Sequence, residues 1–302
     1  SEPFKKLLTQ GMVLKGAFFH KPEGGGKDYY WDHELDVLTN EQGQVIGGKL
    51  KTDGTPLEYE MTTMSKSKNN GVDPAAIIDS HGADAVRLFM MFTAPPEQTL
   101  EWSDASVEGA SRFLRRVWSL GYETAQHPAA DMPAALPAPL AAARREIHAV
   151  LKQGNYDLGR HQFNTVASAT MKMLNALEGV LKGGNDAAAN AVLREGLSIL
   201  LRVLSPITPH ITHQLWRDLG YGEDILNAAW PEPDAQALVE SEIELVVQVN
   251  GKKRGDIRVP RDADKAVIEA AALADAEVQK FVAGQPVKKV VIVPGRLVNI
   301  VV

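Results

Sequence analysis

The residues best suited to chemistry are the two lysines and two serines packed into Met64-Ser65-Lys66-Ser67-Lys68, closed by Asn69-Asn70-Gly71. Ammonium groups and hydroxyls alternating along a short loop suit a polyphosphate, to which lysine brings a compact point charge. Such charge is most useful where negative charge develops in a transition state, because a fixed cation needs no reorganisation as the reaction proceeds. The same residue types also make a solvated charged turn, the commoner fate of a charge run.

Other cations recur in patterns. Arg112, Arg115 and Arg116 share helical spacing, Lys252, Lys253 and Arg254 fall in an expected hairpin loop, and Lys288, Lys289 and Arg296 follow. Exposed cations so arranged contact phosphates and position an RNA without reading its bases. Singly each also fits a solvent role, and part of the arginine face could pair with carboxylates of neighbouring helices. His210 and His213 stand three apart and could hold a metal from one helix face. The chain has no cysteine, and no carboxylate completes that spacing, so no metal site is expected and both read as packing or hydrogen-bonding residues. Tyr29, Tyr30 and Trp31 read as a small local core, with stacking on RNA as the alternative.

These groups need elements to position them. Asp73 before Pro74 is an N-cap followed by proline at the first helical position, which predicts a helix over 75–80 directly after the lysine loop. A second helix opens near Gly82 and stops at Ala94-Pro95-Pro96. Upstream, Met12-Val13-Leu14 between Gly11 and Gly16 predicts a buried strand. Residues 20–61, punctuated by Gly24-Gly25-Gly26, Gly47-Gly48 and Asp53-Gly54, predict a small β insert with hairpins. Apolar periodicity predicts helices over 106–124, 140–153, 157–182, 186–204 and 206–219, an antiparallel bundle. Composition changes at Trp230-Pro231-Glu232-Pro233. Beyond it, strands around Asn250-Gly251 signal a hairpin, with the Lys-Lys-Arg run lengthening its loop. A helix over 264–282 and strands over 287–294 and 297–302 complete a ββαββ tail.

The octet Met64 to Gly71 resembles the signature loop of class I aminoacyl-tRNA synthetases, Lys-Met-Ser-Lys-Ser, with Thr63 in place of its first lysine. Gly71-Val72-Asp73-Pro74, Gly82-Ala83-Asp84, Arg87 and Trp102 follow in the order of the leucine, isoleucine and valine enzymes. Val107-Glu108-Gly109-Ala110-Ser111-Arg112-Phe113-Leu114, Pro206-Ile207-Thr208-Pro209-His210-Ile211 and Val246-Val247-Gln248-Val249-Asn250-Gly251-Lys252 narrow the resemblance to leucyl-tRNA synthetases of bacterial type. It extends over nearly the whole chain and is weakest in 20–61.

The resemblance implies a mainly α fold with α/β pieces. Residues 1–19 would end a Rossmann-type catalytic domain and 20–62 form a leucine-specific β-rich insert. Residues 63–105 would hold the signature loop and a stem-contact region, and 106–230 an anticodon-binding-type antiparallel helix bundle. A linker over 231–241 would lead to a small α+β tRNA-binding domain over 242–302. It further implies a leucine-tRNA ligase in which Lys66 is catalytic and stabilises the triphosphate. Met64, Ser65, Ser67 and Lys68 would contact ATP, and whether Lys68 compensates for Thr63 stays open. Arg112, Arg115, Arg116, Lys252, Lys253, Arg254, Lys288, Lys289 and Arg296 become candidates for binding tRNA(Leu), the terminal domain reaching the outer corner and long variable arm. ATP with Mg2+ would be substrate. The His-x-Gly-His signature, the leucine pocket and the editing domain are not found in these residues, and the chain begins at Ser1. A partial product, inactive without an N-terminal half, is therefore expected. The alternatives are a tRNA-binding or assembly module without a catalytic role, or the matching part of an isoleucyl-, valyl- or methionyl-tRNA synthetase.

Bulk properties agree with a globular chain. Its 302 residues allow about two or three domains, and 44% hydrophobic with 23% charged residues is ordinary for soluble proteins. The absence of cysteine removes disulfide and thiol chemistry. The net charge of −6 does not itself point to a polyanion, but from residue 242 onward ten Lys plus Arg face eight Asp plus Glu, a locally basic tail. No apolar run approaches the roughly 20 residues that span a bilayer, and no leader is evident. A cytoplasmic location and no membrane partner are expected.

Overall fold

A computed structural model describes residues 7–184, 186–239, 242–261, 263–282 and 284–302. The chain forms two compact units, residues 1–234 and 235–302.

In the first unit, strands Val13–His20 (β1), Asp28–Tyr30 (β2), Leu35–Thr39 (β3), Val45–Leu50 (β4) and Pro56–Thr63 (β5) form a sheet in the order β2-β1-β5-β4-β3. The short strand Leu100–Glu101 (β6) pairs parallel to the start of β1. Expected as a short segment ending before Gly16, β1 instead runs through it. A Cβ at Gly16 would meet Tyr59 Cε2 at 2.4 Å, so this glycine makes room for a cross-strand ring rather than ending a strand. Phe18, Leu35 and Leu57 form the local core.

Helices Pro74–His81 (α1) and Ala83–Thr93 (α2) follow, α1 capped as expected by the Asp73 carboxylate accepting from Ala75 N at 3.0 Å. The bundle comprises Asp104–Ala125 (α3), Ala138–Gly159 (α4), Phe163–Gly183 (α5), Ala187–Leu204 (α6) and Pro209–Asp218 (α7). Almost every apolar residue of α6 is buried, which makes it the central helix. Gly196 lets α5 approach, since a Cβ there would lie 2.5 Å from Leu177 Cδ2.

Two boundaries differ from the periodicity. The helix expected over 157–182 is divided: α4 continues to Gly159, and the chain reverses at His161, whose φ is 59°, before α5. Apolar spacing carries across such a reversal because both helices face one core. The helix expected from 206 begins at Pro209, a residue that suits a first helical position because it lacks an N–H to satisfy. Its cap comes from elsewhere. Buried Asp84 on α2 accepts from Ile211 N at 2.8 Å and bonds His210 Nδ1 at 2.8 Å, while Arg87 donates to the carbonyls of Ile207 and Pro206 at 2.7 and 2.9 Å. His210 is thus a hydrogen-bonding residue, and His213 Nδ1 lies 3.8 Å from Asp224.

Beyond α7 the chain returns over α4 as a strap. Trp230 Nε1 donates to Asn155 Oδ1 at 2.8 Å, Asn155 Nδ2 to Pro231 O at 3.0 Å, and Asp234 N to His148 Nδ1 at 3.0 Å.

The second unit has strands Glu242–Val249 (β7), Lys252–Pro260 (β8), Lys289–Val293 (β9) and Leu297–Val301 (β10) in the order β8-β7-β10-β9, with β10 parallel to β7. Its core holds Leu245, Val247, Ile257, Val259, Val298 and Ile300 beneath two helices. The single helix expected over 264–282 is divided into Lys265–Ala274 (α8) and Ala276–Val282 (α9). Asp275 is extended between them, and its carboxylate caps α9 by accepting from the backbone of Glu277 and Val278 at 3.0 Å each.

The hairpin also departs from expectation. Val249 pairs with Lys252, so only Asn250 and Gly251 turn the chain, with φ of 49° and 79°. Both angles suit the tight turn that matches strand twist. Lys252, Lys253 and Arg254 therefore lie in β8 rather than in a long loop. A register shift pairs Gln248 with Lys253 and Val247 with Gly255, leaving Arg254 as the bulged residue.

The candidate phosphate loop and basic surfaces

The lysine loop leaves β5 at Thr63 and makes a single 3-10 turn over Lys66–Lys68. Asn69 then takes the left-handed conformation at φ 51°, which asparagine tolerates better than most residues. Its side chain donates to Tyr29 O at 2.8 Å. Asn70 is only 1% exposed. Its Oδ1 accepts from Ser65 N at 2.9 Å, and its Nδ2 donates to Lys15 O at 3.1 Å and Thr63 O at 3.4 Å. The Asn-Asn pair read from the sequence as a turn signal therefore divides two tasks, one reversing the chain and one clamping the loop to β1 and β5.

The clamp leaves Lys66 outside. It is exposed, and among the described residues its ammonium has no hydrogen bond or ion pair. Ser65 Oγ and Ser67 Oγ lie 3.2 Å apart beside it. Lys68 is half-buried and donates to Thr62 Oγ1 at 2.6 Å. Met64 is half-buried, with its N–H directed to Val13 O at 3.4 Å. Nearby charges are already matched: Lys15 pairs with Asp32 at 2.6 Å, and Glu60 pairs with Lys27 and accepts from Tyr29 Oη at 2.6 Å. Hydrogen bonds from Lys27 and then Tyr29 hold the Glu60 carboxyl below its usual range. Tyr29 and Tyr30 pack against the Phe19 and Phe18 sides of the sheet, whereas Trp31 is 39% exposed.

The three α3 arginines have different environments. Arg116 forks across Glu178 at 2.9 and 2.8 Å and reaches Asn175 at 2.7 Å on α5, and the bonds to Glu178 raise its pKa. Arg112 is exposed, 4.0 Å from Glu108. Arg115 is exposed, with no side-chain partner among the described residues. In the second unit Lys253 pairs with Asp256 at 2.8 Å, and Arg254 stacks on Phe281 with its guanidinium carbon 3.8 Å from the ring centroid. Lys252, Lys288, Lys289 and Arg296 are exposed without side-chain partners among the described residues. Three of the nine sequence candidates, Arg116, Lys253 and Arg254, thus engage partners within the fold, although Lys253 stays exposed.

Sequence reasoning missed Asn70 as a clamp and Thr62 as a partner of Lys68. No local signal could reveal the first, because Asn70 bonds Lys15, 55 positions away. Among the described residues no three metal-binding side chains converge, and no helix is long and apolar enough to cross a membrane.

The chain is similar to known proteins over its whole length. Residues 50–103 match the family described as tRNA synthetases class I (I, L, M and V), and residues 141–269 match the anticodon-binding domain of tRNA ligase. A leucine–tRNA ligase of Azoarcus sp. (strain BH72) is 57% identical over 311 aligned residues, covering 100% of this chain and 35% of the relative. That of Cupriavidus metallidurans (strain CH34) is 58% identical, covering 99% and 34%. A crystal structure of the Agrobacterium radiobacter K84 agnB2 LeuRS-tRNA-LeuAMS ternary complex matches with a TM-score of 0.60 at 27% identity, over 79% of this chain and 30% of that one. The chain thus spans about a third of the length of these relatives. With homology over its whole length and both domain families matched in order, the chain belongs to the leucine–tRNA ligases of class I, as a C-terminal part of such an enzyme.

Proposed function

We propose that this chain supplies the phosphate-facing loop and the RNA-docking parts of an enzyme that activates leucine with ATP and transfers it to tRNA(Leu). The observation that carries the reading is Lys66, an ammonium without a partner among the described residues, on a loop held by a buried asparagine. In activation a leucine carboxylate oxygen bonds to the α-phosphorus of ATP, the bond from that phosphorus to the bridging oxygen breaks, and pyrophosphate leaves with the electron pair. Lys66 acts on the charge that grows on the departing pyrophosphate, while Ser65 and Ser67 donate to its oxygens and Met64 lies toward the adenine. ATP enters as its Mg2+ complex.

RNA contact falls to Arg112, Arg115, Lys252, Lys253, Lys288, Lys289 and Arg296, whose exposed charges suit phosphates. Lys66→Ala in a complete ligase carrying this segment tests the reading. Leucine-dependent pyrophosphate exchange should slow by about 100-fold, as when one fixed donor to a developing anion is removed. An unchanged rate would leave only an RNA-binding or assembly module.

A further inference from the structure

We infer that Lys68 supplies the second cation of the phosphate site, replacing the lysine that position 63 lacks. This rests on the reading of the loop as a polyphosphate site and deepens it. Thr63 stands at the mouth of the loop where the signature it resembles has lysine, so the strand end itself carries no cation. The 3-10 turn over Lys66–Lys68 brings Lys68 N to Ser65 O at 3.2 Å and folds the Lys68 side chain back along β5. Its Nζ bonds Thr62 Oγ1 at 2.6 Å and stands 3.5 Å from Thr63 Oγ1, so the ammonium occupies the surroundings of the residue whose charge is absent.

The partners matter as much as the place. Both are neutral hydroxyls, so they orient the ammonium without cancelling it. Glu60, the carboxylate on which this charge acts, is already bound by Lys27 and Tyr29. Lys15, by contrast, is neutralised by Asp32 at 2.6 Å. An ammonium has three donors, and two threonines use at most two. The third is available to an anion, and a threonine hydroxyl that accepts from Lys68 can turn its own proton outward. Lys66 and Lys68 then present one mobile and one anchored cation to the same polyphosphate. The half-buried setting of Lys68 makes its charge act in a lower dielectric than a free surface lysine would.

A purely mechanical role, tying the turn to β5, needs only a hydrogen-bond donor, and this separates the two possibilities. In a complete ligase, Lys68→Gln keeps a donor and removes the charge. We expect kcat/KM for ATP in pyrophosphate exchange to fall about tenfold or more, within what one charged contact contributes. Adding Thr63→Lys should recover most of the loss. Hydrogen exchange over residues 63–70 confirms that the loop stays ordered. Unaltered ATP kinetics in Lys68→Gln, or no recovery in the double variant, overturns the inference. Lys66→Ala, measured in parallel, separates the failures: if it slows exchange while Lys68→Gln does not, only the assignment of Lys68 falls. If neither variant slows exchange, the phosphate-loop reading falls with it.

Discussion

Arg115 and Arg116 are neighbours of one residue type, and only their positions on α3 separate a free cation from a structural one. A turn of about 100° points Arg116 at α5, where Glu178 and Asn175 take its guanidinium, and leaves Arg115 in solvent. Arg116→Ala should therefore lower unfolding stability, by about 1 kcal/mol since the pair is half-exposed, with tRNA affinity lowered only in proportion to unfolding. Arg115→Ala should keep the melting temperature and weaken binding to tRNA(Leu), and the slope of log affinity against log salt should become shallower by about one, since one phosphate fewer is neutralised. Reversed effects in melting and filter-binding measurements would exchange the two assignments. Residue type was legible at both positions; partner choice was not, because Glu178 lies 62 positions away.

At the scale of elements, the joint between α4, α6 and the strap depends on one carboxylate. Arg144 of α4 forks onto Glu195 of α6 at 2.6 and 2.7 Å and reaches Asp234 at 2.6 Å, and His148 Nε2 stands 3.4 Å from Glu195. Burial pushes the Glu195 carboxyl upward, but His148 and the Arg144 fork outweigh it and hold the pKa at about 2, against 4.5 for the free group. A depressed carboxyl stabilises the fold fully above its unfolded pKa and loses that contribution as pH falls through the folded value. Glu195→Gln should thus destabilise by about 2 kcal/mol at pH 7, as expected for breaking a partly buried charged hydrogen bond. The difference from the parent should shrink between pH 4.5 and pH 2. A constant difference in urea melts across that range would remove Glu195 as the titrating group. The helices themselves were legible from spacing, but not the division at His161, where apolar periodicity continues through a reversal.

For the whole molecule, each unit has its own hydrophobic core, one centred on α6 and one between the second sheet and its helices. The strap contacts with Asn155, His148 and Arg144 all fall at or before Asp234, so a chain ending there keeps them. Removing residues 235–302 from a complete ligase should abolish charging of tRNA(Leu) while pyrophosphate exchange continues at close to its original rate. Charging that survives the deletion would remove the terminal unit from RNA docking.

What the sequence determined alone was local: the phosphate-suited loop, the Asp73 cap, the helical stripes and the Asn-Gly turn all depend on residues within a few positions of one another. Tertiary structure decided which charges remain free. Among the described residues Lys66 and Arg115 are open, Arg116 and Arg254 are occupied by side chains distant in sequence, and Lys68 is folded back onto Thr62 beside Thr63. Burying a charge without a partner is costly, so packing gives inward-facing cations their partners, while cations that stay exposed or are held only by neutral hydroxyls keep charge available to phosphate.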